Sequence, residues 1–177
     1  MIFVETKLAG VFIIEPEKFG DERGFLARTW SQHEFAERGL NPNLVECNLS
    51  FNIRRGTLRG MHYQSEPFAQ AKLVRCTAGA IYDVAVDLSP DSATFRKWEA
   101  VELTAENRRM FYIPEGCAHG FQTLEDRTEV FYQMSGVYAP EYARGLRWND
   151  PVFGIRWPLP DPFMLGRDAN YALVDVE

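Results

Sequence analysis

The sequence predicts an all-β sandwich or barrel, and three observations support this fold class. From Leu44 onward, short apolar runs recur at regular spacing and are separated by turn residues, which is typical of many short strands. Aromatic residues make up 14% of the chain, and they favour strands and sheet-rich cores. No internal repeat, low-complexity tract or linker interrupts the 177 residues, so we expect one domain over residues 1–177.

The N-terminal part predicts one strand, one loop and one short helix. Gly10–Glu15 is a short β-branched run and predicts a strand. Phe19–Phe25 contains two glycines and predicts a loop. Ser31 is suited to cap the N-terminus of a short helix over Gln32–Arg38, which ends near Gly39.

The central part predicts a series of strands, and the C-terminal part predicts an irregular segment. The strands fall on the apolar runs Lys72–Thr77, Ala80–Leu88, Trp98–Leu103, Arg109–Ile113, Gly120–Leu124 and Thr128–Met134. Apolar and polar residues alternate imperfectly along Ile81–Leu88, which favours a strand that is covered on both faces. From Trp148 onward the chain is rich in proline, so we expect it to wrap around the barrel without regular structure.

Composition and charge exclude several classes of protein. The chain is 46% hydrophobic and 25% charged, which is ordinary for a soluble domain. Its net charge of −6 argues against general nucleic-acid binding but leaves room for a local basic pocket. The three cysteines have no zinc or redox spacing and are predicted to be reduced thiols of a cytoplasmic protein. We expect neither a signal peptide nor a membrane segment, because no apolar run is long enough.

Gly56–Gln64 is the segment that is most informative about function. It places His62 on a strand after a glycine turn, with Arg59 on the same face, and Lys72 follows ten residues later. A histidine titrates near neutrality, and nearby cations suit a base that acts on an anionic substrate as negative charge develops. Taken alone, however, the pattern slightly favours a histidine in the core and two charges on the surface.

A second motif predicts the type of barrel. Ile113–Phe121 contains a Pro-x-Gly-x-x-His turn that ends at His119 and resembles the second half of the cupin signature. The first half would place histidines at residues 62 and 64, but residue 64 is Gln64. Catalytic transition-metal sites normally keep at least three protein ligands. The sequence therefore predicts a cupin-type jelly-roll barrel without a metal, in which the two histidines are free for acid–base work.

Six blocks occur in the order that one family shares: Asp21–Phe25, Gly56–Gln64, Ala71–Arg75, Asp83–Asp87, Ile113–Phe121 and Arg147–Pro151. Together they make the chain resemble the dTDP-4-dehydrorhamnose 3,5-epimerase family, the cofactor-free cupins of nucleotide-sugar biosynthesis. The resemblance covers most of the chain, from about Gly20 to Pro158. It implies a jelly-roll isomerase that inverts C3 and C5 of a nucleotide-linked 4-keto-6-deoxy sugar, with dTDP-4-dehydro-6-deoxyglucose favoured, in rhamnose and lipopolysaccharide biosynthesis.

The resemblance implies a role for each of four catalytic residues. His62 is the general base, and Asp168 orients it. Lys72 stabilises the enolate oxygen, and Tyr132 returns the proton on the opposite face of the sugar. The chemistry suits these residue types, because the protons on the carbons beside a carbonyl are acidic and their removal gives an enolate.

The resemblance also implies the substrate contacts and the partners. The expected substrate-binding residues are Arg23 and Asn48 for the nucleotide, Arg59 and His119 for the sugar and phosphates, Tyr138 for stacking on the base, and Arg167 at the position of a family lysine. No metal, redox cofactor, nucleic acid or membrane is expected. The implied assembly is a homodimer with a swapped N-terminal strand.

Several positions depart from the family pattern and leave the substrate and the reaction open. The departures are Arg28 in place of glutamate, Glu46 in place of glutamine, Gln133 and Arg167 in place of lysines, and Ala143 in place of an acidic residue. Most of these positions lie toward the nucleotide in the family, so a CDP-linked sugar or inversion at C3 alone stays open. A non-catalytic sugar-binding cupin and a metal-dependent cupin are less favoured and also stay open.

Overall fold

Short strands make up most of the regular structure of this chain. The computed structural model describes residues 1–175, within which the chain forms thirteen strands, two α-helices and one 3-10 helix. The strands are β1 (Ile2–Glu5), β2 (Phe12–Glu15), β3 (Lys18–Asp21), β4 (Gly24–Ala27), β5 (Glu46–Asn52), β6 (Leu58–Gln64), β7 (Lys72–Ala78), β8 (Ala80–Asp87), β9 (Trp98–Thr104), β10 (Met110–Ile113), β11 (Cys117–Thr123), β12 (Thr128–Met134) and β13 (Ala143–Gly145). The helices are α1 (Gln32–Ala36), the 3-10 helix Pro140–Tyr142 and α2 (Gly166–Ala169). Residues 176 and 177 of the predicted domain lie outside the described residues, and the single-domain boundary stays a prediction.

Two antiparallel sheets form the barrel. The six-stranded sheet has the order β1-β2-β10-β7-β12-β5, and the five-stranded sheet has the order β13-β6-β11-β8-β9. Their inner faces share one core, to which Val74, Phe111 and Val130 contribute from the first sheet and Ile81 and Phe121 from the second. This is a jelly-roll arrangement, so the predicted all-β, cupin-type barrel is confirmed.

The C-terminal segment covers the outer face of the five-stranded sheet, as predicted. Val84 and Val86 of β8 turn outward and pack against Phe153 and Trp157, so β8 is covered on both faces. The side chain of Gln122 on β11 also exchanges two hydrogen bonds with the backbone of the segment. As far as residue 175, the segment is irregular apart from α2, which the sequence analysis missed.

The loop predicted over Phe19–Phe25 is wrong, because this region is a β-hairpin. β3 and β4 pair antiparallel, and Glu22 and Arg23 form the two-residue turn between them. Gly24 follows the turn with φ of +130°, a conformation that favours glycine. The hairpin belongs to neither large sheet and is exposed along its length, so it lacks the alternating burial that marks a strand in sequence.

Other differences concern the ends of elements. The helix capped by Ser31 ends at Ala36, two residues before the predicted end at Arg38. β11 begins at Cys117, three residues before the predicted start at Gly120. β1, β5 and β13 were not predicted as separate strands. None of the helices in residues 1–175 has the length and apolar character needed to cross a membrane.

Candidate active site

A cavity of about 540 Å³ lies between the two sheets and collects most of the predicted site. Seven of the ten predicted site residues line it: Arg59, His62, Lys72, His119, Tyr132, Arg167 and Asp168. Its volume is that of a pocket for a small organic ligand. Residues that are far apart in sequence therefore converge here because the barrel brings β6, β7, β11 and β12 around one space.

His62 and Asp168 form the predicted pair. His62 leaves the inner face of β6, and its Nε2 lies 2.9 Å from Oδ1 of Asp168 on α2. Oδ1 also accepts from Arg167 Nε at 3.1 Å, and Oδ2 lies 3.4 Å from the Gly60 N–H. Burial would raise the pKa of Asp168, but these hydrogen bonds, that from His62 foremost, lower it below its ordinary value. The ionised carboxylate fixes the proton on Nε2, so the lone pair of His62 is on Nδ1.

Lys72 reaches the same cavity from the facing sheet. It leaves the inner face of β7, and its Nζ donates to the carbonyl oxygen of His62 at 3.1 Å. Burial lowers the pKa of Lys72 to about 8, against the opposing effects of Asp83 and Cys117. The side chain is therefore mostly protonated at neutral pH and loses its charge as the pH rises through about 8. A fixed cation is thus available beside the base.

Tyr132 faces the base across the cavity. It lies on β12 in the six-stranded sheet, whereas His62 lies on β6 in the five-stranded sheet. Burial raises the pKa of the Tyr132 phenol, and Arg59 opposes this rise. The phenol therefore keeps its proton at neutral pH. A proton acceptor and a proton donor thus stand on opposite walls of one cavity, which is the arrangement that inversion of a carbon centre needs.

His119 belongs to a second buried pair that the sequence analysis only half identified. Its Nε2 lies 2.6 Å from Oδ1 of Asp83 on β8, and both side chains are almost fully buried. Burial lowers the pKa of His119 and raises that of Asp83, while each partner opposes the shift of the other. Asp83 was placed in a matching block without a role. An acidic residue in a strand covered on both faces must find a buried partner, and this signal would have identified it.

The remaining predicted contacts fall in three places. Arg59 donates from Nε to Oδ1 of Asn52 at 2.8 Å, which holds the guanidinium at the cavity. Asn48 lies opposite Tyr132 in register on β5, so the two side chains share a face of the sheet without Asn48 lining the cavity. Arg23 lies on the β3–β4 turn with 84% of its side chain exposed and pairs with Asp21, and within one chain it is not part of the site.

Tyr138 lines a cleft of about 170 Å³ that adjoins the cavity and shares His62, Lys72, Tyr132 and Arg167 with it. Tyr171, which the sequence analysis missed, lines the same cleft and meets the His62 ring edge-on at 6.2 Å between centroids. Its ring lies against Gly145, where a Cβ atom would come within 2.1 Å of the ring carbon Cζ. Nothing in the local sequence marks Tyr171, since only the path of the C-terminal segment brings it there.

Gln64 stands where a metal-binding cupin would have its second histidine, and its side-chain amide forms hydrogen bonds with the backbone. Nε2 donates to the carbonyl oxygens of Phe68 at 2.7 Å and Val137 at 3.2 Å, and Oε1 accepts from the Ala139 N–H at 2.7 Å. The amide therefore holds the loop that carries Tyr138. Within residues 1–175, no group of three or more His, Cys, Asp or Glu side chains is placed to hold a metal ion.

A family model described as dTDP-4-dehydrorhamnose 3,5-epimerase matches residues 5–175 of this sequence. This chain belongs to that family. The dTDP-4-dehydrorhamnose 3,5-epimerase of Methanothermobacter thermautotrophicus is 49% identical over 96% of this chain and 92% of its own length. The crystal structure of the enzyme from Elizabethkingia anophelis has a TM-score of 0.95 and 39% identity, and it covers 98% of this chain and 96% of its own.

A third relative has a ligand. The enzyme from Legionella pneumophila, solved in complex with dTDP-4-keto-L-rhamnose, has a TM-score of 0.89 and 38% identity over 95% of this chain and 89% of its own. The predicted family and the predicted class, an isomerase that epimerises a nucleotide-linked sugar, are confirmed by this membership. The individual site residues stay predictions, which the geometry above supports.

Proposed function

We propose that the protein inverts C3 and C5 of dTDP-4-dehydro-6-deoxyglucose by deprotonation and reprotonation, in the biosynthesis of a rhamnose-type deoxysugar. The observation that supports this most is the arrangement of His62 and Tyr132 on opposite sheets, with the buried ammonium of Lys72 beside the base. An epimerase must take a proton from one face of the sugar and return one to the other. The cavity has a suitable group on each face.

Each step has a residue to perform it. The carbonyl at C4 acidifies the C–H bonds at C3 and C5, and Nδ1 of His62 accepts the proton. The electron pair of the broken C–H bond moves into the enolate, whose oxygen is stabilised by the Lys72 ammonium. Asp168 stabilises the imidazolium that forms. Tyr132 then gives its proton to the opposite face of the same carbon, and proton exchange with solvent restores the neutral phenol of Tyr132 and the neutral imidazole of His62 before the next centre reacts. The steps exchange protons only, so the proposal includes no metal and no redox cofactor.

The proposed substrate contacts divide between the cavity and the adjoining cleft. Arg59 and His119 border the sugar and the phosphates, and Arg167 reaches both spaces. Tyr138 offers an aromatic face to the base, and its loop is held by Gln64 and by Glu46, which accepts from the Tyr138 N–H at 3.1 Å. Glu46 is one of the departures from the family, so dTDP and CDP are compared in the experiment below.

We further propose that two copies of this chain form a homodimer in the cytoplasm. The β3–β4 hairpin exposes Phe19 and Leu26, and the edge strand β5 exposes Leu49 and Phe51 beside the cavity. Docking of the hairpin of one copy on β5 of another would cover both apolar surfaces. It would also carry Arg23 of the second copy toward the nucleotide. Light scattering should give twice the chain mass, and Leu49→Lys should reduce it to the chain mass.

Isotope exchange tests the reaction. The enzyme is incubated in D₂O with 4-keto-6-deoxyglucose linked to dTDP or to CDP, and mass spectrometry counts the deuterium atoms incorporated. We expect two deuterium atoms from the dTDP sugar, whereas one atom would indicate inversion at C3 alone. Preferential exchange of the CDP sugar would reassign the nucleotide. Binding of both sugars without any exchange would refute the epimerase and leave a sugar-binding cupin.

Two variants separate the roles of the donor and the cation. Tyr132→Phe keeps the ring and removes the hydroxyl, so His62 still forms the enolate and returns deuterium to the same face. This variant should therefore exchange deuterium while it yields little inverted sugar. Lys72→Ala removes the charge that stabilises the enolate, so exchange and inversion should fall together. Inversion as fast as exchange in Tyr132→Phe would show that another group is the donor.

A further inference from the structure

The short helix α2 carries Asp168, and little of its own structure holds it in place. It has four residues, and Leu165 at its N-cap offers no side-chain hydrogen bond and is 66% exposed. Among its residues, all of which the structure describes, Asp168 alone is buried. A helix this short is not stable by itself and normally depends on the packing of an apolar face, but here the single buried side chain is a carboxylate. The position of α2 therefore depends on polar contacts with other segments.

Arg147 holds the end of this helix. Its Nε and Nη2 both donate to the carbonyl oxygen of Ala169, at 3.2 and 2.9 Å. The last carbonyl groups of a helix have no partner within it, so this oxygen needs a donor from elsewhere. Ala169 follows Asp168 directly in the chain, so the guanidinium fixes the backbone next to the carboxylate. Arg147 begins the block Arg147–Pro151, to which the sequence analysis gave no role.

Arg147 is also joined to the strand that carries the base. It follows Leu146, whose N–H donates to the Met61 carbonyl oxygen at 2.9 Å, and the Met61 N–H donates back at 3.3 Å. Met61 precedes His62, so His62 and Arg147 each follow one member of this hydrogen-bonded pair. The side chains of Met61 and Leu146 are buried in one cluster, so the pair is part of the packed core. The base and the guanidinium therefore extend from one fixed point.

We propose that Arg147 is a positioning residue of the His62–Asp168 pair, which holds α2 so that Oδ1 of Asp168 stays within hydrogen-bond distance of the base. This inference deepens the function proposed above and rests on it. Arg147 is not among the described residues that line the cavity or the adjoining cleft, so it acts through Asp168 and not on the sugar. The backbone of the segment is also tied at Phe163, before α2, and at Val174, after it, and both points are farther along the chain from the carboxylate.

Loss of the guanidinium should slow the reaction without weakening substrate binding. Arg147→Met keeps most of the aliphatic chain and removes the donors to Ala169. Because a displacement of about 1 Å can lower a rate by about 10²-fold, we expect kcat for deuterium exchange to fall by about 10- to 100-fold. KM should stay the same, because Arg147 lies outside the lining of the cavity and the cleft. A rise in KM with an unchanged kcat would overturn the proposal.

A double-mutant cycle tests whether Arg147 acts through Asp168. If it does, Arg147→Met should change the rate of the Asp168→Ala variant by less than about twofold, because the group that it positions is already missing. An equal loss of rate in both backgrounds would show general damage to the barrel and would refute the proposal. Should Arg147→Met not fold, Arg147→Lys takes its place in the same cycle, since an ammonium cannot reproduce the two donors of the planar guanidinium. An unchanged rate in that variant would count against the proposal.

Two control variants separate this contact from others of its kind. Arg38 also donates to a backbone carbonyl oxygen, that of Glu34 at 3.0 Å, but it does so at α1. Asp150 accepts from the Val174 N–H at 2.7 Å and so fixes the C-terminal segment beyond α2. Arg38→Met and Asp150→Asn should both exchange deuterium at the normal rate. A loss in either variant equal to that in Arg147→Met would refute a specific role for Arg147.

Histidine NMR measures the same pair without any substrate. The chain has three histidines, so ¹⁵N labelling of histidine gives signals from three rings, and His62→Ala identifies one ring by its loss. With Asp168 in place, the proton of the neutral ring is fixed on Nε2, so the two ring nitrogens should differ strongly in chemical shift. In Arg147→Met this difference should shrink toward that of Asp168→Ala, because the other tautomer gains population. An unchanged difference would overturn the proposal.

The NMR and exchange measurements together separate this proposal from the proposed function. If the difference in chemical shift shrinks in Arg147→Met but the unaltered protein exchanges no 4-keto sugar, the positioning role stands and the epimerase fails. If the unaltered protein exchanges the sugar and Arg147→Met alters neither the difference in chemical shift nor kcat, only the positioning role fails.

Discussion

Replacement of Asp168 by asparagine tests how the base is held. The carboxylate accepts from His62 and Arg167 on Oδ1, and the Gly60 N–H approaches Oδ2. An asparagine has one acceptor and one donor on its amide, so it cannot serve all three groups. When the amide oxygen faces His62, it accepts the hydrogen bonds from His62 and Arg167. Only the amide NH₂ group then faces another donor, the Gly60 N–H, at the position where the two atoms are 3.4 Å apart in the unaltered protein. When the amide is flipped, only the hydrogen bond from the Gly60 N–H is kept, so we expect the first orientation.

The expected loss follows from that orientation. His62 keeps its proton on Nε2, and Nδ1 stays available as the base. What disappears is the negative charge that stabilises the imidazolium, since a charge-assisted hydrogen bond becomes a neutral one. Hydrogen bonds to charged groups contribute about 1.5–3 kcal/mol, which corresponds to a loss of about 10- to 150-fold in rate. A wrong tautomer would cost about 10⁴-fold instead, as it does in the serine-protease triad.

The assay is the initial rate of deuterium uptake in D₂O by Asp168→Asn and Asp168→Ala. Asp168→Ala should be the slower of the two, because the imidazole loses both its charge partner and its orientation. Asp150→Asn is the control, since this buried carboxylate holds the N–H groups of Val152 and Val174 and does not contact His62. Asp168→Asn within twofold of the unaltered rate would remove Asp168 from the mechanism. A loss near 10⁴-fold would show that the amide flips.

Three further predictions concern the base and its surroundings. His62→Ala should abolish exchange at both carbons, with a loss of rate of at least about 10²–10⁴-fold. The control is His33→Ala, in the exposed part of α1, which should exchange at the normal rate. Near-normal exchange by His62→Ala would refute the assignment of His62 as the base. Gln64→Leu should lower the free energy of unfolding in urea by roughly 2–4 kcal/mol, because buried backbone groups lose their partners, and an unchanged midpoint would contradict this. Gly145→Ala should displace Tyr171, since the new Cβ would lie 2.1 Å from its Cζ, and should raise KM for the nucleotide sugar; unchanged kinetics would show that the cleft tolerates the movement.

Local sequence patterns were enough for the fold class, whereas the centre of the site also needed the resemblance to a family. Short apolar runs between turn residues encode strands through side-chain alternation, which is a property of neighbouring residues. The spacing from Gly56 to His62 and the turn before His119 are likewise local, and they predicted the barrel, but His62 was predicted as the base only through the family resemblance. The β3–β4 hairpin was not predicted from the sequence, because this alternation is missing there. It buries neither face within one chain, so its sequence carries no alternation.

Contacts between distant segments were decided only by the tertiary structure. Asp168 reaches His62 across 106 positions because the C-terminal segment folds back over the five-stranded sheet, and Tyr171 follows the same path. Asp83 and His119, 36 positions apart, meet because β8 and β11 pair in the five-stranded sheet, and burial there shifts the pKa of each. A sequence specifies which residue types are present and how each segment folds. The dielectric surroundings and the partners of a charge depend on which segments meet, and that is set by the packing of the whole barrel.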